Sequence, residues 1–501
     1  MSEQARPENS PAWPRVELDT TGTPDSRGWE IPTIGGVDWQ DNPDPVEESD
    51  PLGLGKGVYR SEGKVPRGFR PTASPQALEK LRHDYQRAGE QAAAFEQGKD
   101  IPFEVYVHVP FCYRRCGYCD FNTYTTMDFG EGASRENFAN ELIKEMELYA
   151  LWQQSAGMKL KPASTVYFGG GTPTILPAAD LVRMLTRVRQ IWGLLPVNLQ
   201  LDNLGYEAST EANPDTVSEK SINELAEGGF TRISLGMQSA VPHVLQVLDR
   251  THNQANVVSA VGWAKKAGLS TSLDLIYGAP RESVDDWKRS LDAVLSLEPD
   301  HISCYALTVA PGTKMGQRIA HGELETPRDD DEAHKYEIAC EQLAQAGYQW
   351  YEVSNWAKPG HEDRHNLGYW RGADWAGLGP GAHAHAGNLR SWDTRHPKVW
   401  TRQVEAGILP WAGHEIITDQ EAREEKLMLS LRLYEGIAFD ELVSTIADGD
   451  ATQRAQAREQ VNSFCEQGLL ERFTDKSGQL RVRPTVKGKL LNDGMIEAFL
   501  G

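Results

Sequence analysis

The sequence predicts an α/β fold: a partial, TIM-like (β/α)6 barrel followed by a smaller α+β domain. Three observations predict it. Between residues 105 and 308, six short apolar runs alternate with amphipathic stretches, which is how parallel strands joined by crossover helices read. Near residue 325 that repeat stops, and from residue 415 onward the pattern becomes helices, a hairpin and a closing helix. At 501 residues and 39% hydrophobic content, the chain is long enough for one large core and at least one smaller one.

Residues 1–75 hold eleven of the 28 prolines and few periodic apolar positions, so they read as an extended or disordered leader without chemistry. Residues 76–100 have helix-forming composition and read as a lead-in helix covering an exposed barrel face. The barrel core takes residues 101–325. Its strands are placed at 105–111 (VYVHVPF), 165–171 (TVYFGGG), 207–210 (EAST), 231–238 (TRISLGMQ), 269–278 (LSTSLDLIYG) and 300–308 (DHISCYALT). Helices at 135–153, 178–191, 215–228, 254–267 and 283–297 join them. An extension follows over residues 326–414: a helix at 329–346, a strand at 351–357, and a stretch at 364–388 rich in Gly, His and aromatics that reads as a loop. Residues 415–501 form a winged-helix-like domain, with a hairpin turn at DKSG (475–478) and a helix capped by Thr485.

A formal net charge of -21 without a long basic run argues against nucleic acid or anionic lipid as a partner. The same acidity turns the winged-helix-like domain toward packing on protein rather than DNA. No run approaches the roughly 18 apolar residues of a membrane helix, and the first residues lack the layout of a signal peptide. The protein is expected in the cytoplasm. There a tight Cys cluster reads as a metal site rather than a disulfide framework, while Cys304, Cys340 and Cys465 stand alone and read as small buried hydrophobes. Peripheral contact with a membrane and a homodimer are both compatible with the sequence.

The other three cysteines, Cys112, Cys116 and Cys119, follow the first strand with the spacing C-x3-C-x2-C. One reading is an apolar helix stripe at i, i+4 and i+7, which Pro110, Gly117, Arg114 and Arg115 disfavour. A second is a structural zinc site with His108 as fourth ligand, and with it a zinc-stabilised binding module. Paired C-x2-C elements are missing, and His108 on its strand is poorly placed to close a tetrahedron. A third is a cubane iron-sulfur cluster, in which three thiolates leave one iron open to an exogenous ligand.

The motif, with the aromatic Tyr118 before its last Cys, resembles the signature of the radical S-adenosylmethionine (SAM) family. That resemblance implies a [4Fe-4S] cluster on Cys112, Cys116 and Cys119, with SAM chelated to the open iron through its amino and carboxylate groups. It also implies reductive cleavage of the sulfonium to methionine and a 5'-deoxyadenosyl radical.

If SAM lies against the first strand's loop, the ends of the following strands should carry its other contacts. The second strand ends in YFGGGTPT, whose glycines allow a ligand close to the backbone; a phosphate loop lacks its G-K-[ST], and a plain tight turn stays open. Glu211, Gln238 and Asp274 close the third, fourth and fifth apolar runs, and Arg250 follows in LDRTHN. Each alone reads as a cap or surface residue; together they read as a binding site. These stretches resemble the oxygen-independent coproporphyrinogen III oxidase branch of the radical SAM family over roughly residues 100–500. By that resemblance Tyr106, Gly170, Gly171, Thr172, Glu211, Gln238, Arg250 and Asp274 contact SAM, and Tyr118 shields the cluster.

The oxidases of this branch carry a further Cys two residues after the triad. Here Phe121 stands at that position, so coproporphyrinogen III dehydrogenase activity in heme biosynthesis is the alternative rather than the expectation. No catalytic residue is assigned. HNLGYW at residues 365–370, with YEVSNWAKPG before it and GLGPGAHA after it, is similar to a sister group, the heme chaperones, and implies heme as ligand. It also implies heme-receiving apo-proteins such as respiratory cytochromes as partners. His365 is the first candidate heme ligand, with His383 and His385 behind it, while Tyr369 and Trp370 offer flat contact to a macrocycle. A His and an Asn in a loop that only bond the backbone are the plain alternative.

Overall fold

Alternating apolar positions put one face of each strand under helices and the other into the barrel. In the computed structural model, which describes Gly36–Val37, Pro71–Thr72 and residues 75–195, 205–447, 449 and 451–500, six parallel strands follow one another in space as in sequence. They are β1 (Phe103–Val109), β2 (Thr165–Gly170), β3 (Glu207–Ala212), β4 (Arg232–Gln238), β5 (Ser270–Tyr277) and β6 (His301–Ala306). Val105, Val107 and Val109 are fully buried in the main core with Leu142 and Met146, while Glu104, Tyr106 and His108 alternate onto the opposite face.

Outside the sheet lie α1 (Pro75–Glu96), α2 (Phe138–Ser155), α3 (Ala178–Ile191), α4 (Glu219–Glu227), α5 (Pro242–Val247), α6 (Gln254–Lys266) and α7 (Val284–Ser296). Local chemistry starts several of them. Ser218 and Ser283 each close a capping box, and Asn253 caps α6. The lead-in helix α1 docks through Tyr85, whose carbonyl accepts from Trp152 Nε1 at 2.9 Å and whose hydroxyl donates to the Trp411 carbonyl at 3.1 Å. The Pro-rich leader lies outside the described residues apart from the short pairing of Gly36–Val37 with Pro71–Thr72.

Residues 364–388, expected as a loop, are instead ordered elements. After α8 (Lys314–Ala320), α9 (Asp329–Gln345), β7 (Gln349–Glu352) and β8 (Asn355–Ala357), the HNLGYW motif forms α10 (Arg364–Arg371). Asp363 caps its start by accepting from the Asn366 amide at 2.9 Å, and Gly372 ends it in the left-handed region at φ 73°. A Cβ on Gly368 would collide with the Glu104 carboxylate, so the glycine lets the helix lie on β1. Next come β9 (Asp374–Leu378), β10 (His383–Ala386), β11 (Leu389–Asp393), α11 (Pro397–Glu405) and β12 (Trp411–Ile416). β9 pairs parallel with β1, adding a seventh parallel strand, and β10 to β12 continue antiparallel; β8 and β7 extend the far edge. The resulting sheet has twelve strands, in the order β12-β11-β10-β9-β1-β2-β3-β4-β5-β6-β8-β7.

The C-terminal part has its own core around Leu442, Val461 and Val482. It comprises α12 (Asp419–Ser430), β13 (Ile437–Ala438), α13 (Phe439–Ile446), α14 (Ala451–Glu466), β14 (Leu470–Thr474), β15 (Leu480–Pro484), α15 (Val486–Leu490) and α16 (Asn492–Leu500). The hairpin turns at DKSG, where Asp475 Oδ1 accepts from the Ser477 and Gln479 amides and Gly478 adopts φ 85°. Thr485 caps α15 through the Gly488 amide at 3.0 Å. No helix among the described residues is long and apolar enough to cross a membrane.

Candidate cofactor site and the adjoining cavity

The cysteines sit on a loop tied at its neck to the end of β1. Cys112 N donates to the Tyr124 carbonyl at 2.9 Å and Tyr124 N to the Pro110 carbonyl at 2.7 Å. Gly117 is gripped on two sides: its amide donates to Leu248 O at 3.4 Å and its carbonyl accepts from Met315 N at 2.8 Å. Asp249 Oδ2 would lie 2.7 Å from a Cβ there, so a larger residue would have to displace the Asp249 carboxylate. Arg250 Nη1 donates to Cys116 Sγ at 3.4 Å, and Thr172 Oγ1 lies 3.6 Å from Cys112 Sγ. Burial pushes the Cys112 thiol up to about 12, with the two other cysteines adding and Thr172 and Arg250 opposing; burial also pushes Cys119 up.

Among the described residues, no three His, Cys, Asp or Glu side chains converge as the ligands of a single ion do. His108 does not complete a zinc site: its Nδ1 is 3.0 Å from Tyr106 Oη and its Nε2 3.0 Å from the Asn122 carbonyl, so both ring nitrogens are engaged. The thiols fit a cubane, in which each meets a different iron and the fourth iron stays open.

Around this loop the strand ends bring together the residues that the resemblance assigned to SAM. Glu211 Oε1 accepts from Tyr167 Oη at 3.1 Å and Oε2 from the Gly170 amide at 3.2 Å. Gly170 takes φ 103°, and a Cβ on Gly171 would lie 2.6 Å from Phe111 O, so both glycines are required by the fold itself. Arg250 Nη2 donates to Gly236 O at 2.7 Å, beside Gln238, whose φ of 61° turns the chain at the end of β4. Asp274 lies within β5 and accepts from Ser234 Oγ at 3.1 and 2.9 Å. Burial pushes Glu211 up to about 7, with the Asp274 charge adding to it, and burial also pushes Asp274 up. Two buried carboxylates thus stand close together at this end of the sheet, the Asp274 charge raising Glu211. Tyr106 stacks on Tyr167 at 6.4 Å, and Tyr118 packs against the small apolar cluster around Val244 and Met315.

His365 is not in this group. Thr165, Glu207 and Arg232 are the first residues of β2, β3 and β4, and α10 lies across that opposite end of the barrel. His365 is 2% exposed, with Nδ1 2.6 Å from Thr165 Oγ1 and Nε2 2.8 Å from Tyr369 Oη, and its ring stacks on Tyr167 at 5.2 Å. Burial holds its imidazole down to about 4. The expectation of a loop is corrected, since the motif is a helix; its histidine, the first candidate heme ligand, has both ring nitrogens bonded inside the protein.

His383 and His385 occupy a different place. They line a cavity of about 1830 Å³ that runs from Phe121 and Asn122 on the cysteine loop, along β9 to β11, to Met428 and Leu429 on α12, and that Tyr369 and Trp370 of the HNLGYW motif also line. Trp375 stacks on His385 at 5.2 Å, and Trp392 on His383 at 6.2 Å.

Comparison with known proteins places these features. Residues 106–294 match the radical SAM superfamily model. The chain is 41% identical over 401 residues to the Mycobacterium tuberculosis protein named heme chaperone HemW, covering 80% of this chain and 95% of that one. It belongs to the HemW family of radical SAM proteins. Other HemW proteins agree: that of Escherichia coli is 32% identical over 408 residues and that of Bacillus subtilis 31% over 400, with 98% of each covered. The Escherichia coli coproporphyrinogen III oxidase HemN structure aligns with a TM-score of 0.63 at 21% identity, over 85% of this chain and 93% of that one, a likeness of fold.

Family membership implies the [4Fe-4S] cluster and SAM, which the thiols and strand ends fit. Sequence reasoning missed Tyr167, which links Glu211 to His365, and Trp375, Trp392 and Arg395 of the cavity, though it named Tyr369 and Trp370, which also line it. A usable signal was there: H-A-H-A at 383–386 alternates like a strand, and so does R-S-W at 390–392.

Proposed function

We propose that this chain is a heme chaperone on a radical SAM scaffold, which holds heme and hands it to apo-proteins such as respiratory cytochromes in the cytoplasm. The observation that carries the reading is the identity to a HemW protein across 95% of that protein's length. In this reading Cys112, Cys116 and Cys119 hold the cluster and Tyr118 covers it. The bound cluster and SAM together supply one-electron chemistry. The chain's own groups set the pocket: Arg250 meets the SAM carboxylate while bonded to Cys116, Glu211 and Asp274 meet ammonium or ribose groups, and the Gly170 and Gly171 backbone permits close approach. Tyr106, Thr172 and Gln238 complete the ring of contacts.

The test is a hemin titration of the anaerobically reconstituted protein, paired with incubation in SAM, reductant and coproporphyrinogen. Saturable hemin binding without porphyrinogen turnover is expected, since Phe121 stands where the oxidases carry a further Cys. Protoporphyrinogen formed at a steady rate would make the protein a dehydrogenase instead.

A further inference from the structure

We infer that heme sits in the cavity between β9–β12 and α12, with His385 as its axial ligand; this rests on the heme-binding reading above. Heme asks for three things of a site: flat apolar walls, cations for two carboxylates, and a nitrogen or sulfur ligand for iron. The cavity of about 1830 Å³ exceeds the roughly 300–1,000 Å³ of ordinary small-ligand pockets and so has room for a macrocycle.

Its walls come from strand register. On β10, Ala384 and Ala386 are buried in the core, so His383 and His385 alternate onto the cavity face. Trp375 pairs across from His385 on one side, and Trp392 from His383 on the other. Trp392 lies over Gly413, where any Cβ would collide with the ring, so the glycine of β12 keeps that indole flat. Met428 and Leu429 of α12 form the facing wall. At the end toward the cysteine loop stand Arg115 and Arg395. Arg115 donates to Phe121 O at 3.2 Å and has no carboxylate partner among the described contacts.

His385 is built as a ligand. Its ring plane is fixed by Trp375 at 5.2 Å and 19°. Its Nδ1 is buried without a hydrogen bond, 3.6 Å from Oδ1 of the buried Asp374. A carboxylate beside Nδ1 favours the tautomer that keeps the proton there and leaves the Nε2 lone pair for iron. His365, with both nitrogens bonded, offers no such pair.

The experiment is hemin titration of the full-length, cluster-reconstituted protein, read by Soret absorption and by the electron paramagnetic resonance of the ferric heme. His385→Ala is expected to weaken hemin binding roughly tenfold or more and to change the ferric signature, with added imidazole restoring it. His385→Met, which keeps side-chain bulk, should replace the nitrogen-ligand signature by a thioether one. His365→Ala and His383→Ala should keep the wild-type signature. The assignment is overturned if His385→Ala and His385→Met both titrate with the wild-type spectrum, or if the signature is lost with His365→Ala or His383→Ala instead. Failure of the wild type itself to bind hemin would overturn the heme-binding reading, an outcome separate from either.

Discussion

Glu211 accepts from a tyrosine hydroxyl and a backbone amide and still has its carboxyl pushed up to about 7 by burial, which leaves it partly protonated at neutral pH. A cationic cofactor favours the ionised form, so binding releases a proton below that value. SAM affinity should therefore rise with pH up to about 7 and then level off. Equilibrium dialysis across the neutral range checks this. Glu211→Gln should flatten the profile and weaken binding by roughly tenfold, about 1.4 kcal/mol, and a flat wild-type profile would contradict the assignment. His365 makes a different prediction. Its folded value is about 4 against an ordinary 6.5, so the native state binds fewer protons between the two and stability falls as pH drops through that window. His365→Ala should cost about 3 kcal/mol in urea unfolding, because it leaves the buried Tyr369 hydroxyl without its partner and opens a void among the rings of Tyr106, Tyr167 and Tyr369, and should flatten the acid limb. A loss under about 0.5 kcal/mol, the range of a surface change, would show that the histidine is not structural.

Between elements, Glu145 of α2 and Asp393 of β11 form a buried carboxyl pair that fastens the added strands to the barrel helices. Glu145 Oε2 accepts from the Gly379 amide at 2.8 Å and from Trp400 Nε1 at 3.0 Å. Burial pushes Glu145 up to about 7 and Asp393 well above the usual carboxylate range, so the pair holds a proton that the unfolded chain would release. Through Glu145 stability then falls as pH rises from about 4.5 to about 7, and the raised Asp393 adds a fall in the same direction. Glu145→Gln should make that slope shallower at small cost. Glu145→Ala strands two buried donors and should cost about 2–3 kcal/mol, read by denaturant midpoint. At this scale the sequence was legible where elements repeat and carry their own signals: β1 to β6 and the helix capped by Thr485. It was not legible over residues 364–388, because an eight-residue helix and strands of four or five residues show too little period. Asp363 and Gly372 marked the ends of α10, but β9 finds its partner at Phe103, more than 250 residues away in the chain. No local pattern records that pairing, nor which end of the barrel α10 closes.

Across the whole molecule, the cysteine loop and the residues assigned to SAM lie at one mouth of the barrel and α10 lies across the other, while the cavity reaches from the loop to Tyr369 and Trp370 of α10. The cluster motif was legible because its spacing is local; of the cavity only Tyr369 and Trp370 in the HNLGYW motif were, because its other walls come from β9 to β11 and the C-terminal helix α12. Since the main and C-terminal cores are built apart from the cysteine loop, replacing Cys112, Cys116 and Cys119 by Ala together should remove bound iron and SAM binding yet preserve the circular dichroism spectrum. Iron retained at the wild-type level would remove these thiols from the cluster. The most direct test of the account is heme transfer. Heme-loaded protein is mixed anaerobically with an apo-cytochrome, and the acceptor's own absorption is followed. The account predicts that the acceptor gains heme as this protein loses it, faster than from free hemin; an acceptor that stays empty while the heme remains bound here would contradict it.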